Sequence, residues 1–367
     1  MALQEEIDKA RAEIRTDGYS MSIGELISLY QSDEIDIHPE FQRYFRWSPF
    51  QKSRLIESIL LGIPIPQVFV AQRQDGLWDV VDGLQRLSTI YQFVGILKDE
   101  KGEQIPPLVL EKTKYLPSLA GKKWDDKYRP DESFTTAQRL IIKRSKIDVS
   151  IILSESGESS KYELFQRLNT GGAPLSDQEV RNSILIMMNP DMYRWMRNLS
   201  RSEDFQECIA LTDRAISEQY DMDLLLRFII LRTLPDGQLK EIGDMGEFLT
   251  ERMINIAERK ELNFEEEEQA FNTTFSLLRE QLDSQSFHKY DANKGKFLGG
   301  FLVSAYETVA LGIGYNYKHV SGVKQHISDI IKNLWQNEEF ISNSGSGVRA
   351  SSRVPHIIPL GRRVFHP

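Results

Sequence analysis

Residues 80–90, VVDGLQRLSTI, pass from an apolar pair through Asp82-Gly83 into a helical pattern. Upstream, Leu77-Trp78-Asp79-Val80-Val81 reads as a strand, with Gln67-Val68-Phe69-Val70-Ala71 as its hairpin partner across Asp75-Gly76. Downstream, Leu87, Ile90, Tyr91, Val94 and Leu97 recur at helical spacing. The unit is therefore strand, glycine turn and helix, with a cation in the first helical turn. Free N–H groups and the macrodipole favour anions there, so an arginine loses roughly 0.3–1 kcal/mol unless an anion answers it. Arg86 requires a phosphate or a carboxylate. Two readings follow. In one, Asp82 caps the helix, Gly83 forms the turn and Arg86 pairs with an acid of the protein. In the other, the turn holds an anionic ligand.

The chain has 367 residues, 40% of them hydrophobic, enough for one large or two ordinary domains with real cores. Its 54 acids outnumber its 45 bases, for a net charge of -9, so its surface as a whole does not attract nucleic acid. Any DNA contact must be local or supplied by a partner. The single cysteine, Cys208, provides neither a disulfide framework nor a cysteine-rich zinc site and suits a reducing cytoplasm. Neither a signal peptide nor a membrane-spanning stretch is expected.

The pattern predicts an α+β chain: a mixed region over residues 1–155, a mainly helical domain over 156–342 and a basic tail over 343–367. In the first region, Ser22-Ile23-Gly24-Glu25 opens a helix and Glu34-Ile35-Asp36-Ile37 reads as a strand. Ser48-Pro49 starts a helix with Leu55, Ile56, Ile59 and Leu60 on one face, ended by Gly62. Residues 98–136 are polar and turn-rich and predict a long irregular excursion, of the kind that often forms a lid. Residues 146–153 restore a strand. Ser160 with Glu163 and Ser176 with Glu179 have capping-box spacing on either side of Asn169-Thr170-Gly171-Gly172. The run Glu265 to Glu268 marks a helix start and carries no functional assignment. After Glu339 no acid remains, while Arg349, Arg353, Arg362 and Arg363 stand among Gly and Ser, which predicts a loosely ordered basic tail available to nucleic acid.

Neither GxxxxGK[ST] nor GxGxxG occurs, so a phosphate site must be of another type. The six histidines show no HExxH spacing.

Four stretches occur in order: Ile37-His38-Pro39-Glu40-Phe41-Gln42-Arg43, then residues 52–66 ending in Gly62-Ile63-Pro64-Ile65-Pro66, then Asp82-Gly83-Leu84-Gln85-Arg86-Leu87, then Phe165 to Ser176 around Asn169-Thr170-Gly171-Gly172. Over about residues 20–185 this resembles the N-terminal domain family of GmrSD-type, modification-dependent restriction endonucleases, itself related to the ParB/sulfiredoxin fold. The resemblance implies a nucleotide-binding module in bacterial defence against phage or foreign DNA, working with a nuclease that is a separate domain or subunit. It also implies Gly83 and Arg86 on the phosphates, Gln85 beside them, Asp82 near a magnesium ion, and Gln42, Arg43 and Gly62 lining the pocket. Asn169, Thr170 and Gly171 are family markers without an assigned role. The family's usual Asp-Gly-Gln-Gln-Arg has Leu84 in its middle position here, which bears on hydrolysis more than on binding.

Elementary chemistry agrees. Each charge-assisted hydrogen bond to phosphate is worth roughly 1.5–3 kcal/mol, so Arg86, Arg43 and a few helix-start amides suffice for micromolar binding. Magnesium retains water, so Asp82 plus phosphate oxygens suffice for the metal. For hydrolysis, Gln85 is the nearest group to orient water. The leading expectation is an NTP-binding regulatory protein of a restriction system, with an NTP of undetermined base and Mg2+ as cofactors and Asp82 and Gln85 as the catalytic pair. The alternatives are a metal-dependent nuclease and a non-enzymatic DNA-binding or assembly module.

Overall fold

A five-stranded mixed sheet organises the first part of the chain. The computed structural model describes residues 3–5, 7, 15–37, 47–99, 101–156, 176–259, 262–322, 324–345 and 347–367. Contacts divide the chain into two compact units, Met1–Pro174 and Leu175–Pro367. The division expected after residue 155 thus falls later, just before the Ser176 cap that opens the first helix of the second unit.

In the first unit, β1 (Thr16–Ser22) runs antiparallel to β5 (Lys146–Ile152), and β5 parallel to β3 (Val68–Gln72). β3 pairs antiparallel with β4 (Trp78–Asp82), and β2 (Ile35–Asp36) lies parallel to β4 at the edge. The β3–β4 hairpin is the one expected, with Gly76 at positive φ in its turn. Three helices share the sheet's core. α1 (Ile23–Gln31) is capped by Ser22, whose hydroxyl accepts from the Glu25 N–H. α2 (Pro49–Leu60) starts in a full capping box between Ser48 and Gln51. α3 (Leu84–Val94) follows Gly83 and ends at Gly95. Leu84, Leu87, Ile90 and Tyr91 of α3 are buried, as are Leu26 of α1, Ile56 of α2, and Val68, Val70 and Val149 of the sheet. Each such aliphatic contributes roughly 1.5–3 kcal/mol of transfer free energy. The Tyr91 hydroxyl donates to the Leu26 carbonyl at 3.1 Å, and its ring stacks on Tyr30 at 4.3 Å, fixing α3 against α1.

Residues 101–135 are irregular, as expected, but they are packed down rather than forming a lid. Leu108, Leu110, Leu119 and Phe134 are buried, and Phe134 and Trp124 meet Phe93 of α3 edge to face. The Glu57 carboxylate, nearly covered, accepts from the N–H groups of Tyr115 and Leu116 at 2.9 Å each, which ties this stretch to α2. Helix α4 (Thr136–Arg144), with a capping box from Thr135 and Gln138, follows. Sequence pattern did not predict α4 or strand β1.

The second unit is mainly helical. α5 (Asp177–Met188) opens with the expected Ser176–Glu179 capping box. α6 (Tyr220–Leu231) and α8 (Val303–Tyr315) are buried along most of their length, while α7 (Phe264–Gln281) begins at the glutamate run. A short hairpin of β6 (Lys289–Asp291) and β7 (Lys296–Leu298) departs from the all-helical expectation, its turn closed by Gly295 at positive φ.

The expected basic tail, residues 343–367, is corrected by the structure. Residues Ala350–Val364 form helix α9 despite Pro355 and Pro359 within it. Val354, Ile357 and Ile358 are fully covered, and Gly361 packs so close to α8 that a Cβ there would overlap the Thr308 carbonyl oxygen. Its arginines are engaged: Arg353 pairs with Glu307, Arg363 with Glu339, and Arg362 with Asp236. Arg362 also donates from Nη2 to the carbonyls of Leu231, Arg232 and Leu234, closing the C-terminal end of α6. Tertiary packing overrides the local breakers, because burying one face of α9 outweighs the backbone bonds its prolines remove.

Candidate functional site at the strand–glycine–helix turn

Asp82 ends β4, and the register of the β3–β4 pair slips just before it. Val70 faces Val80, whereas Phe69 faces Asp82, so Val81 is the extra residue of a bulge. Gly83 then takes φ +98, the left-handed region, and serves as N-cap of α3 without any side-chain cap. Two constraints select glycine here. An L residue is strained at that φ, and an added Cβ would stand 2.7 Å from Val68 Cγ2 and 3.1 Å from Arg86 Nη2.

The uncapped helix start brings Arg86 back over the turn. Its Nη2 donates to Asp82 Oδ2 at 2.9 Å and to the Gln67 carbonyl at 3.0 Å, one helical turn away from Asp82 in sequence. The Arg86 side chain is 14% exposed and that of Asp82 35%, so the pair lies at the rim of the unit with the cation on the inner side. Gln67, which leads into β3, also accepts from the Ser150 hydroxyl of β5 at 3.3 Å through its side-chain oxygen. The first expectation, an acid answering Arg86, is thus met in part, and Asp82 acts as that partner rather than as a helix cap.

The pairing leaves buried hydrogen-bonding capacity unused. Gln85 Nε2, Arg86 Nε, Ser88 Oγ and Thr89 Oγ1 are each covered and have no hydrogen-bond partner. They fall on the first two turns of one helix, within five residues. Buried polar atoms are paired in the great majority of cases, and an unmet one costs roughly 1–3 kcal/mol. Arg86 Nε, beside the left-handed Gly83, is a donor suited to an oxyanion, while Gln85, Ser88 and Thr89 share a neighbouring face of the helix. Further along the same helix face, Lys52 of α2 donates to Gln92 Oε1 at 2.7 Å, and Gln92 Nε2 donates to the Pro106 carbonyl. Desolvation lowers the pKa of the Lys52 ammonium.

Of the residues singled out from sequence, Asp82, Gly83, Gln85 and Arg86 are brought together. Gly62 ends α2 at φ +69 with open space around it and is exposed, which gives it a helix-terminating role. Gln42, Arg43, Asn169, Thr170 and Gly171 lie outside the described residues. Ser88, Thr89 and Gln67 were not anticipated. The adjacent hydroxyls of Ser88 and Thr89 between Leu87 and Ile90 were a visible signal, whereas the Gln67 carbonyl becomes a partner only through the sheet. Among the described residues, no group of three or more His, Cys, Asp and Glu side chains is placed to hold a metal ion. No helix among them is long and apolar enough to cross a membrane.

No curated protein and no solved structure matches the chain. One family model does, described as GmrSD restriction endonuclease, N-terminal domain, over residues 23–186. The matched region runs from the start of α1 to the last turn of α5 and contains the whole β4–α3 turn. Residues 23–186 are therefore similar to the GmrSD restriction endonuclease N-terminal domain.

Proposed function

We propose that the β4–α3 turn binds the phosphates of a nucleoside triphosphate, and that the protein is the regulatory, nucleotide-responsive part of a restriction system acting in the cytoplasm with a separate nuclease. The observation that carries this reading is the cluster of unpartnered buried atoms on Gln85, Arg86, Ser88 and Thr89 beside Gly83. A triphosphate supplies several oxygens to such a cluster at once, and a helix N-terminus adds its own N–H groups. Similarity of residues 23–186 to that N-terminal domain supports the restriction context.

In this reading Arg86 and the helix-start amides hold phosphate oxygens, with Gly83 allowing the close approach. Gln85, whose amide nitrogen is unpartnered, orients the attacking water if the nucleotide is turned over. The residues fit magnesium as well, since the partly exposed Asp82 carboxylate plus phosphate oxygens and water satisfy a cation that keeps much of its hydration. Bound magnesium supplies charge neutralisation on the phosphate oxygens. DNA, in this reading, is met through the nuclease partner: Arg353, Arg362 and Arg363 are already paired with acids within the second unit.

The test is thermal unfolding of the protein and of Arg86→Ala with magnesium and each of ATP, GTP, CTP and UTP. A ligand at about 100 times its Kd adds roughly 2.7 kcal/mol, a rise of several degrees. We expect at least one nucleotide to stabilise the wild type and Arg86→Ala to abolish that rise. If none does, Arg86 is a structural partner of Asp82 and the proposal fails.

A further inference from the structure

We infer that Asp82 is an internal occupant of the anion site, so that the turn accepts a polyphosphate chelated to a divalent cation in preference to the free polyphosphate. The inference rests on the nucleotide reading and names the form of ligand that the site selects.

The geometry around one guanidinium carries it. Arg86 Nη2 has two protons, and both are in use: one on Asp82 Oδ2 at 2.9 Å, one on the Gln67 carbonyl at 3.0 Å. Its Nε–H is buried and unpartnered. A guanidinium offers its strongest recognition as a fork of two parallel N–H groups. Asp82 therefore makes a single-point contact and leaves half of the fork empty. The constraint is local: Asp82 and Arg86 stand four residues apart across Gly83, and Val68 crowds the turn from β3.

Two consequences follow. A phosphate that reaches Nε and Nη2 satisfies both donors, which Asp82 does not, while the Gln67 carbonyl keeps the guanidinium anchored. Yet the carboxylate that it displaces remains beside it, and like charges at that distance repel. With a divalent cation present the conflict would ease, because the Asp82 carboxylate would help hold the cation, whose charge would offset that of the phosphate. Metal and polyphosphate then bind with positive coupling, which by thermodynamic reciprocity is the same seen from either ligand.

Replacing Asp82 by Asn keeps the shape of the strand end and removes the competing charge. Isothermal titration of the full chain and of Asp82→Asn with inorganic tripolyphosphate and with ATP, GTP, CTP and UTP, in magnesium and in EDTA, tests this. Wild-type affinity should fall about tenfold or more in EDTA, within the usual range of such couplings. Asp82→Asn should bind in EDTA about tenfold more tightly than wild type does there, with its magnesium dependence reduced to within about twofold. The Arg86 Nε–H resonance should shift on addition of tripolyphosphate in both proteins. Asp82→Ser provides the same comparison should the Asn variant fail to fold. Magnesium-independent binding by the wild type overturns the inference and leaves the nucleotide reading intact. So does weaker metal-free binding by both variants, which would make Asp82 a positioning residue for Arg86. If neither wild type in magnesium nor Asp82→Asn in EDTA binds any of these polyphosphates, the nucleotide reading itself falls.

Discussion

The two units differ in how far they pair buried arginine. In the second, Arg181, Asp223, Arg227, Glu307 and Arg353 form a continuous chain of ion pairs linking α5, α6, α8 and α9, with contacts of 2.5–2.9 Å. Arg353 grips Glu307 through two nitrogens and spends a third on the Val348 carbonyl, while Arg181 also donates to Gln178 and Gly246. In the first unit, Arg86 meets Asp82 through one nitrogen, and its neighbours Gln85, Ser88 and Thr89 keep atoms without partners. The second unit has unpartnered atoms too, Arg232 Nε, Arg362 Nε and Glu267 Oε2 among them. Arg232 and Glu267 are joined to each other through their remaining atoms, and Arg362 meets Asp236 and three carbonyls through its own. Saturated charge holds helices in register. Unsaturated charge at a helix start is the feature on which the proposed anion site rests.

The sharpest way to break that contrast is to remove the acid shared by two arginines. Glu307 is fully covered, and Glu307→Ala leaves Arg353 an uncompensated buried cation and Arg227 with Asp223 alone. We expect a loss of roughly 3–5 kcal/mol in denaturant unfolding, against a change under about 1 kcal/mol for Asp82→Ala, whose pair is partly exposed. Equal losses would erase the distinction between the units.

Gly361→Ala tests whether the helix that replaced the expected tail is held by packing as well as charge. The new methyl meets the Thr308 carbonyl, and Gly312 faces Gly361 at a comparably close approach, so α8 and α9 must separate. A destabilisation of about 1–3 kcal/mol is expected, with increased proteolysis near the C-terminal helix. An unchanged unfolding midpoint would mean that α9 docks by its ion pairs alone.

A smaller, pH-dependent effect belongs to Glu57. Burial tends to raise its pKa, but donation from the Thr113 hydroxyl and the Tyr115 and Leu116 N–H groups, with Arg54 nearby, outweighs that and holds the carboxyl below its ordinary value. A depressed folded pKa gives stability that is present above the unfolded pKa and is lost as pH falls through the folded one. Glu57→Gln should therefore be less stable than wild type at neutral pH, and the gap should close in acid. A gap independent of pH would show that the carboxylate charge is immaterial to anchoring residues 101–135.

The smallest effect carries the opposite sign. Thr89 is fully buried with its hydroxyl unpartnered, so Thr89→Val should stabilise the unliganded protein by up to about 1 kcal/mol. Destabilisation would mean that the hydroxyl has a partner after all, and the contrast between the units would weaken with it.

Much of the first unit can be read from residue pattern because its signals are local. The Asp75-Gly76 hairpin, the Ser48-Pro49 helix start and the Gly83 turn each depend on residues within a few positions of one another, and each appears as expected. Strand β1 escaped because its sequence, TDGYSMS, is rich in strand-poor Asp, Gly and Ser with Thr16 as its one β-branched residue, and it exists through pairing with β5. Helix α9 escaped for the converse reason: Pro355 and Pro359 are strong local breakers, and only contact with α8 outweighs them.

At the candidate site the same division holds. The order of residues by itself determined that Gly83 turns left-handed, that α3 begins beside it and that Arg86 must meet an anion, since backbone sterics and helix electrostatics act within one turn of chain. Which anion was decided by the tertiary structure. The bulge at Val81 carries Asp82 to the Arg86 nitrogen, β3 delivers the Gln67 carbonyl, and packing covers Gln85, Ser88 and Thr89 without giving them partners. Partners distant in sequence are chosen by how elements pack, and no local pattern encodes that choice.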